Sequence, residues 1–194
     1  MGQATVNLQN LGQKVSTTNP LPVTNTTPTA AVTAGALSTV SFTRTADTNA
    51  YTAGDVIGIN NAGSAGSAIH TFTLIGPAGG NIIITGWDLT IDATAIPSGM
   101  SSFRLHVYNA SPTAIVDNAA FDLVTADQSK HVGALDAVTM VDYGSTLFGG
   151  ITNINQQVKL ATSVTSLYAE LVTVGAWTPA SGTAFQIRLR TIAV

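Results

Sequence analysis

The stretch Ile82-Ile83-Ile84-Thr85-Gly86-Trp87-Asp88-Leu89-Thr90-Ile91-Asp92 decides how this chain folds. It opens on three consecutive isoleucines, whose branching at Cβ stiffens χ1 and favours an extended backbone. A long segment with a continuous apolar start belongs at the centre of a sheet. Gly86 interrupts it and marks a bulge or bend. After a turn at Pro97-Ser98-Gly99, the segment Ser102-Phe103-Arg104-Leu105-His106-Val107-Tyr108-Asn109 alternates. Phe103, Leu105 and Val107 form one face; Arg104, His106 and Tyr108 form the other. The short loop between the two segments predicts antiparallel neighbours.

The same pattern continues outward in both directions. Residues 39–45 place Val40, Phe42 and Arg44 on one face. Residues 56–59 are a short apolar strand, and 60–67 are a Gly/Ser/Asn-rich loop. In 69–75, Ile69, Thr71, Thr73 and Ile75 alternate with His70, Phe72 and Leu74, before a turn at 76–81. Residues 113–121 read as a short helix or as a loop before a strand at 121–124, and a turn follows at 127–131. Further strands are expected at 138–141, 147–151 (short and broken by glycine), 156–160, 166–174 and 184–192. In the last, Phe185, Ile187, Leu189 and Thr191 alternate with Gln186, Arg188 and Arg190. Roughly eight to ten short strands between turn-rich loops give an all-β chain, an antiparallel β-sandwich of jelly-roll type. No repeat of solenoid length is visible.

Composition narrows the function classes. The chain has 194 residues, of which 45% are hydrophobic and only 9% charged. An ordinary soluble domain carries about 25% charged residues. Mean hydropathy is +0.31, yet no apolar run approaches the ~20 residues of a spanning helix. The start, Met1-Gly2-Gln3-Ala4-Thr5, has neither a basic region nor an apolar core, so no secretory signal is expected. A net charge of -3 argues against a surface that tracks phosphates, so no direct nucleic-acid partner is expected. The absence of cysteine removes disulfides and thiolate chemistry. The 29 threonines fill the gap; Glu170 is the only Glu, and Lys14, Lys130 and Lys159 are the only lysines. Strand edges usually carry charged guards, and this chain has few. Much of its surface is therefore expected to be buried in a permanent assembly.

Residues 1–35 differ from the rest. The segment 17–29 holds Pro20, Pro22 and Pro28 and no charge. Proline removes donors and pushes the preceding residue toward extended conformations. An extended N-terminal arm over 1–35 and a sandwich domain over 36–194 are the expected organisation. At ~3.1 Å per residue such an arm reaches roughly 110 Å, against a domain radius of gyration near ~15 Å. Leu11, Val15, Pro20, Leu21, Pro22 and Val23 are its candidate partner-binding residues.

Signals for chemistry are scarce. His70, His106 and His131 do not pair at metal-ligand spacing. No nucleophile elbow occurs, and Gly63-Ser64-Ala65-Gly66 lacks the lysine of a phosphate loop. Asp117, Asp122, Asp127, Asp136 and Asp142 fall in the middle third, with nothing to gather them around one cleft. Asp88 and Asp92, four residues apart on one strand face, stand ~13 Å apart, too far for one ion. No catalytic residue, cofactor or metal is assigned. Trp87 sits in the most apolar strand and reads as core. Trp177, beside Thr178-Pro179-Ala180-Ser181-Gly182, is the candidate surface contact, either to a partner subunit or as a sugar platform.

Three groups of segments resemble structural proteins of tailed bacteriophages. They are Gln9-Asn10-Leu11-Gly12-Gln13 through Asn19-Pro20-Leu21-Pro22-Val23; residues 41–56, Ser41-Phe42-Thr43-Arg44-Thr45 to Asp55-Val56; and Phe103-Arg104-Leu105-His106-Val107-Tyr108-Asn109-Ala110-Ser111-Pro112 with Asp117-Asn118-Ala119-Ala120-Phe121. The resemblance implies a non-enzymatic virion component, and size and fold class fit a capsid decoration or cement protein best. It implies the major capsid protein as partner, self-association as a homotrimer, no membrane, and a place on the capsid surface after assembly in the host cytoplasm. The alternatives are a glycan-binding adhesin and a tail or baseplate component.

Overall fold

The computed structural model describes residues 9–10, 13–14, 35–59 and 68–194; for the first two stretches and for Ala137 it describes the backbone alone. The chain divides into two units, Met1–Val32 and Thr33–Val194. In the first, β1 (Gln9–Asn10) pairs antiparallel with β2 (Gln13–Lys14). The extended reading of 17–29, and the arm candidates Leu11, Val15, Pro20, Leu21, Pro22 and Val23, lie outside the described residues.

Among its described residues the regular structure of the second unit is all β, apart from one 3-10 turn at Thr125–Asp127. Its strands are β3 (Gly35–Thr43), β4 (Val56–Ile57), β5 (His70–Phe72), β6 (Asn81–Ile91), β7 (Ser102–Tyr108), β8 (His131–Thr139), β9 (Val141–Asp142), β10 (Leu147–Lys159), β11 (Leu167–Thr173) and β12 (Ala184–Ala193). Their pairing is that of one long antiparallel ribbon running out and back. β7 pairs β8, β6 pairs β10, β4 and β5 both pair β11, and β3 pairs β12. Rolling the ribbon sets β12 beside β6 and β11 beside β7. Two sheets result: sheet I in the order β3-β12-β6-β10-β9, and sheet II in the order β4-β11-β7-β8 with β5 on β11. This is the jelly-roll sandwich.

The centrality of β6 follows from its sequence, and so does the bulge at Gly86. Arg190 pairs Gly86 while Thr191 pairs Ile84, so Thr85 is skipped. The skip reverses the inward parity: Ile82 and Ile84 point into the core before it, Trp87, Leu89 and Ile91 after it, all 0% exposed. A Cβ on Gly86 would stand 2.7 Å from the Ile151 carbonyl oxygen, so only glycine lets β10 approach there. From sheet II, Phe72, Phe103, Leu105, Val107 and Leu171 meet this layer in one continuous core. Truncating Trp87 to alanine would cost about 3–5 kcal/mol.

Several expectations are corrected. The segments at 82–92 and 102–109 are not neighbours: β6 lies in sheet I and β7 in sheet II. Their loop crosses the sandwich, and a loop of that length fits a crossing as well as a hairpin. The alternation at 69–75 ends at Phe72, because Leu74 adopts φ 55 and is 78% exposed. The two strands expected at 147–151 and 156–160 are one, β10, with a register shift between Thr152 and Gln156 where Asn153 takes φ 67. Residues 113–124 form no helix or strand; a single bridge joins Asp55 to Ala120.

Candidate functional site

The two outer faces of the sandwich are treated in opposite ways. Sheet II is covered by its own chain. The segment that links β7 to β8 lies over it, and Ile115 and Phe121 pack on Val56, Ala68 and Val172 to form a second, smaller core. Beneath that cover is a polar layer. Tyr108 donates to Glu170 Oε2 at 2.8 Å, and both side chains are 1% exposed. Burial raises the Glu170 pKa, against the pull of Tyr108 and the Ile115 N–H.

β7–β8 pairing brings His106 and His131 together, with Nδ1 of the first 3.3 Å from Nε2 of the second. Phe121 lies on the His106 ring at 3.8 Å between centroids. Burial, then His131 and Arg104, push His106 down to about 4, and burial lowers His131. One ring donates to the other only while at least one of them is neutral. Sequence spacing could not reveal this pair, since it depends on the strand register. Among the described residues no group of three His, Cys, Asp or Glu is placed to hold a metal ion.

A second network fastens the cover. Arg44 donates from Nε to Tyr51 Oη at 2.6 Å and from Nη2 to Asp47 Oδ1 at 2.8 Å. Tyr51 donates to Asp117 Oδ1 at 2.6 Å, which also accepts the Gly58 N–H at 2.9 Å. Arg44 and Asp117 side chains are 0% and 1% exposed. The end of β3, the 44–55 loop, the end of β4 and the covering segment thus meet at one buried ion pair.

Sheet I has no such cover among the described residues. Its outer face carries one charged cluster. Arg188 Nε and Arg190 Nη2 both reach Asp88, each at 2.5 Å. Asp88 is fully buried, whereas the two arginine side chains keep 31% and 40% exposure. Around them run two cross-strand rows, Thr39-Arg188-Asp88-Gly150 and Leu37-Arg190-Gly86-Thr152. A hollow of about 450 Å³ beside them is lined by Ser41, Thr43, Thr90, Thr146 and Gln186 among others. Leu37, Val141 and Tyr143 are 58%, 51% and 70% exposed. The i,i+2 spacing of Arg188 and Arg190 was the only signal of this cluster in the sequence; its carboxylate comes from a strand one hundred residues away.

The structure separates the other candidates. Trp87 is core, and its Nε1 donates to the Asp136 carbonyl. Trp177 is corrected: it is 3% exposed, stacked on Tyr51 at 5.3 Å and edge-on to Phe103, and so offers neither a rim contact nor a sugar platform. A backbone bridge to Tyr51 draws its loop inward. His70 faces the core on β5, donates from Nε2 to the Ile57 carbonyl, and burial lowers it to about 4. The five middle aspartates do not converge. Asp117 and Asp127 are buried in separate networks, Asp127 holding Lys130 and the Thr113 N–H, while Asp122, Asp136 and Asp142 are exposed.

No family model matches the chain, and no curated protein matches it. Among solved structures it is similar to a chain of the full particle of Israeli acute paralysis virus heated to 63 degree. The identity is 13%, the TM-score 0.27, and the match covers 84% of this chain and 74% of that one.

Proposed function

We propose that this chain is a non-enzymatic structural protein of a virus particle, a decoration or cement protein that braces the head by bridging subunits of the major capsid protein. The observation that carries the reading is the outer face of sheet I, which no described residue covers, with exposed Leu37, Val141 and Tyr143 and one ion cluster among the described residues. A face poor in ions and bearing aliphatic, tyrosine and arginine side chains has the composition of a protein interface. The jelly roll supports it as a fold that capsids use, though the fold alone assigns no role. The edge strand β3 adds support. Its nine residues carry no charge and no proline, leaving it without the guards of a solvent-facing edge. The 1–35 arm, reaching from Gly35 to a neighbouring subunit, would enlarge the contact beyond the ~1,200 Å² a stable interface needs.

Deletion of residues 2–34 tests the arm. Association with capsid particles should weaken while the sandwich unfolds at an unchanged temperature. Binding that survives the deletion in full would remove the arm from the mechanism. A particle image with the protein bound at the tail would replace the head assignment.

A further inference from the structure

We propose that copies of this chain join head to tail, the β9 turn of one seating on the Arg188–Arg190 rows of the next. The two surfaces are complementary in charge. Arg188 and Arg190 share one carboxylate, so the cluster carries a net positive charge in a chain whose formal charge is -3. Each guanidinium has five N–H donors; Arg188 donates one to Asp88 Oδ1, Arg190 meets Oδ2 as an ion pair without a hydrogen bond, and both side chains remain partly open. The residues beside the arginines in their rows on β6 and β10 are Asp88, Gly86, Gly150 and Thr152, and the Phe148 ring lies against Gly150, so the patch is bordered by small residues and one aromatic ring.

The matching surface is on the same molecule, at the opposite edge of sheet I. Val141, Asp142 and Tyr143 project there, all exposed, on a strand of only two residues. Asp142 Oδ1 accepts the Gly144 N–H at 2.7 Å, which fixes the carboxylate outward and leaves its second oxygen to a partner. Asp142 is one of four exposed aspartates, with Asp92, Asp122 and Asp136, that make no ion pair among the described residues. A second copy is therefore an acidic partner for the basic patch. Tyr143 supplies an aromatic ring to stack on a guanidinium, and Leu37, beside Arg190 in its row, supplies the apolar neighbour. Patch and knob lie at different places on the molecule, so the contact is heterologous and closes into a ring where the rotation permits.

The contact gives a geometry to the self-association that the resemblance implies, and it rests on the proposed particle role only in making that assembly part of a virus particle. The test is sedimentation equilibrium of the full chain at low and high salt, beside a particle-binding assay. The wild type should form an oligomer that weakens as salt rises. Asp142→Asn, which keeps the acceptor for Gly144, and Arg190→Gln should each weaken association about tenfold or more. Tyr143→Ala should do the same. Arg104→Gln, on the outer face of sheet II, should change nothing. Should Arg190→Gln fail to fold, Asp142→Asn and Tyr143→Ala carry the result, because both side chains are exposed. A wild type that stays monomeric at every concentration overturns the contact, as does an oligomer indifferent to these substitutions. A monomer that nevertheless binds particles refutes the contact and leaves the particle role standing.

Discussion

Asp88 on sheet I and Glu170 on sheet II are carboxylates on the two outer faces of one sandwich, and both are buried to within 1% of completely. They are buried by different means. Glu170 lies under a folded segment of the chain, with Phe121 and Ile115 packed above the sheet. Asp88 is screened by two arginine side chains that themselves remain in contact with water. The first arrangement consumes the face, since nothing can dock on a sheet already covered by its own connection. The second protects one charge and leaves the rest of the face open. In a chain with only 9% charged residues, the described residues cover one face and not the other, an unequal distribution of surface. The open face is where contact with other molecules is expected.

The largest effect that would break this contrast is loss of the fastening beneath the cover. Asp117→Ala strips Tyr51 Oη and the Gly58 N–H of their acceptor and leaves buried Arg44 with Asp47 as its one carboxylate among the described residues, beside the Tyr51 hydroxyl. Removing one partner of a buried ion pair costs about 3–5 kcal/mol. Urea unfolding should show that loss, and hydrogen exchange should show the amides of residues 110–127 opening first. If those amides stay protected, the cover is held by Phe121 and Ile115 and not by the ion pair.

Acid sharpens the same contrast. His70 and His106 are held down to about 4 and His131 is lowered, chiefly by burial in each case. Unfolded histidine binds its proton near ~6.5. Between these values the unfolded chain takes up protons that the folded chain refuses, so stability present above pH 6.5 is lost as pH falls toward about 4. Glu170 acts in the opposite sense: its raised pKa contributes stability at low pH that is lost as pH rises through the folded value. The histidines outnumber it, and the net slope should be downward on acidification. His70 alone would contribute roughly 3 kcal/mol across the window. Unfolding free energies measured from pH 7 to pH 4.5 check the slope, and His106→Gln should flatten it. Two of the three histidines lie under the cover or at its margin, so the covered face should loosen before the open one.

Much of the sandwich was legible because the strands carry their burial in their own alternation. β7 and β12 each declare an inward face, Phe103-Leu105-Val107 and Phe185-Ile187-Leu189, and the structure buries those residues. The isoleucine run of β6 announced a central strand, and Gly86 its bulge. What stayed hidden depends on which strand lies beside which. The loop after β6 has the length of a hairpin, and nothing in residues 93–101 says that the chain changes sheets there. The Asp88–Arg188–Arg190 cluster and the His106–His131 pair are products of register, across 100 and 25 residues. Trp177 misled for a related reason. Its neighbours Thr178, Pro179 and Gly182 are turn residues, and only the bridge to Tyr51, 126 positions earlier in the chain, pulls the ring inside. The covering segment has no periodicity because residues 110–124 are neither helix nor strand; its hydrophobic side chains are spaced to meet a sheet already formed.

The smallest expected effect is the one that separates the faces most cleanly. Arg190→Gln removes one of the two cations on Asp88 and leaves Arg188 in place. With a side chain 40% exposed and water able to reach the gap, the lost attraction is partly replaced by solvent. The cost to folding should therefore be about 1 kcal/mol or less, several-fold below that of Asp117→Ala on the covered face. Side-by-side urea unfolding of the two variants measures the ratio. Equal losses would mean that Asp88 is as dependent on its arginines as Arg44 is on Asp117, and that the sheet I cluster is a structural clasp. A small loss would mean that Arg190 contributes little to the fold it sits on, and that its guanidinium is free to serve a neighbour.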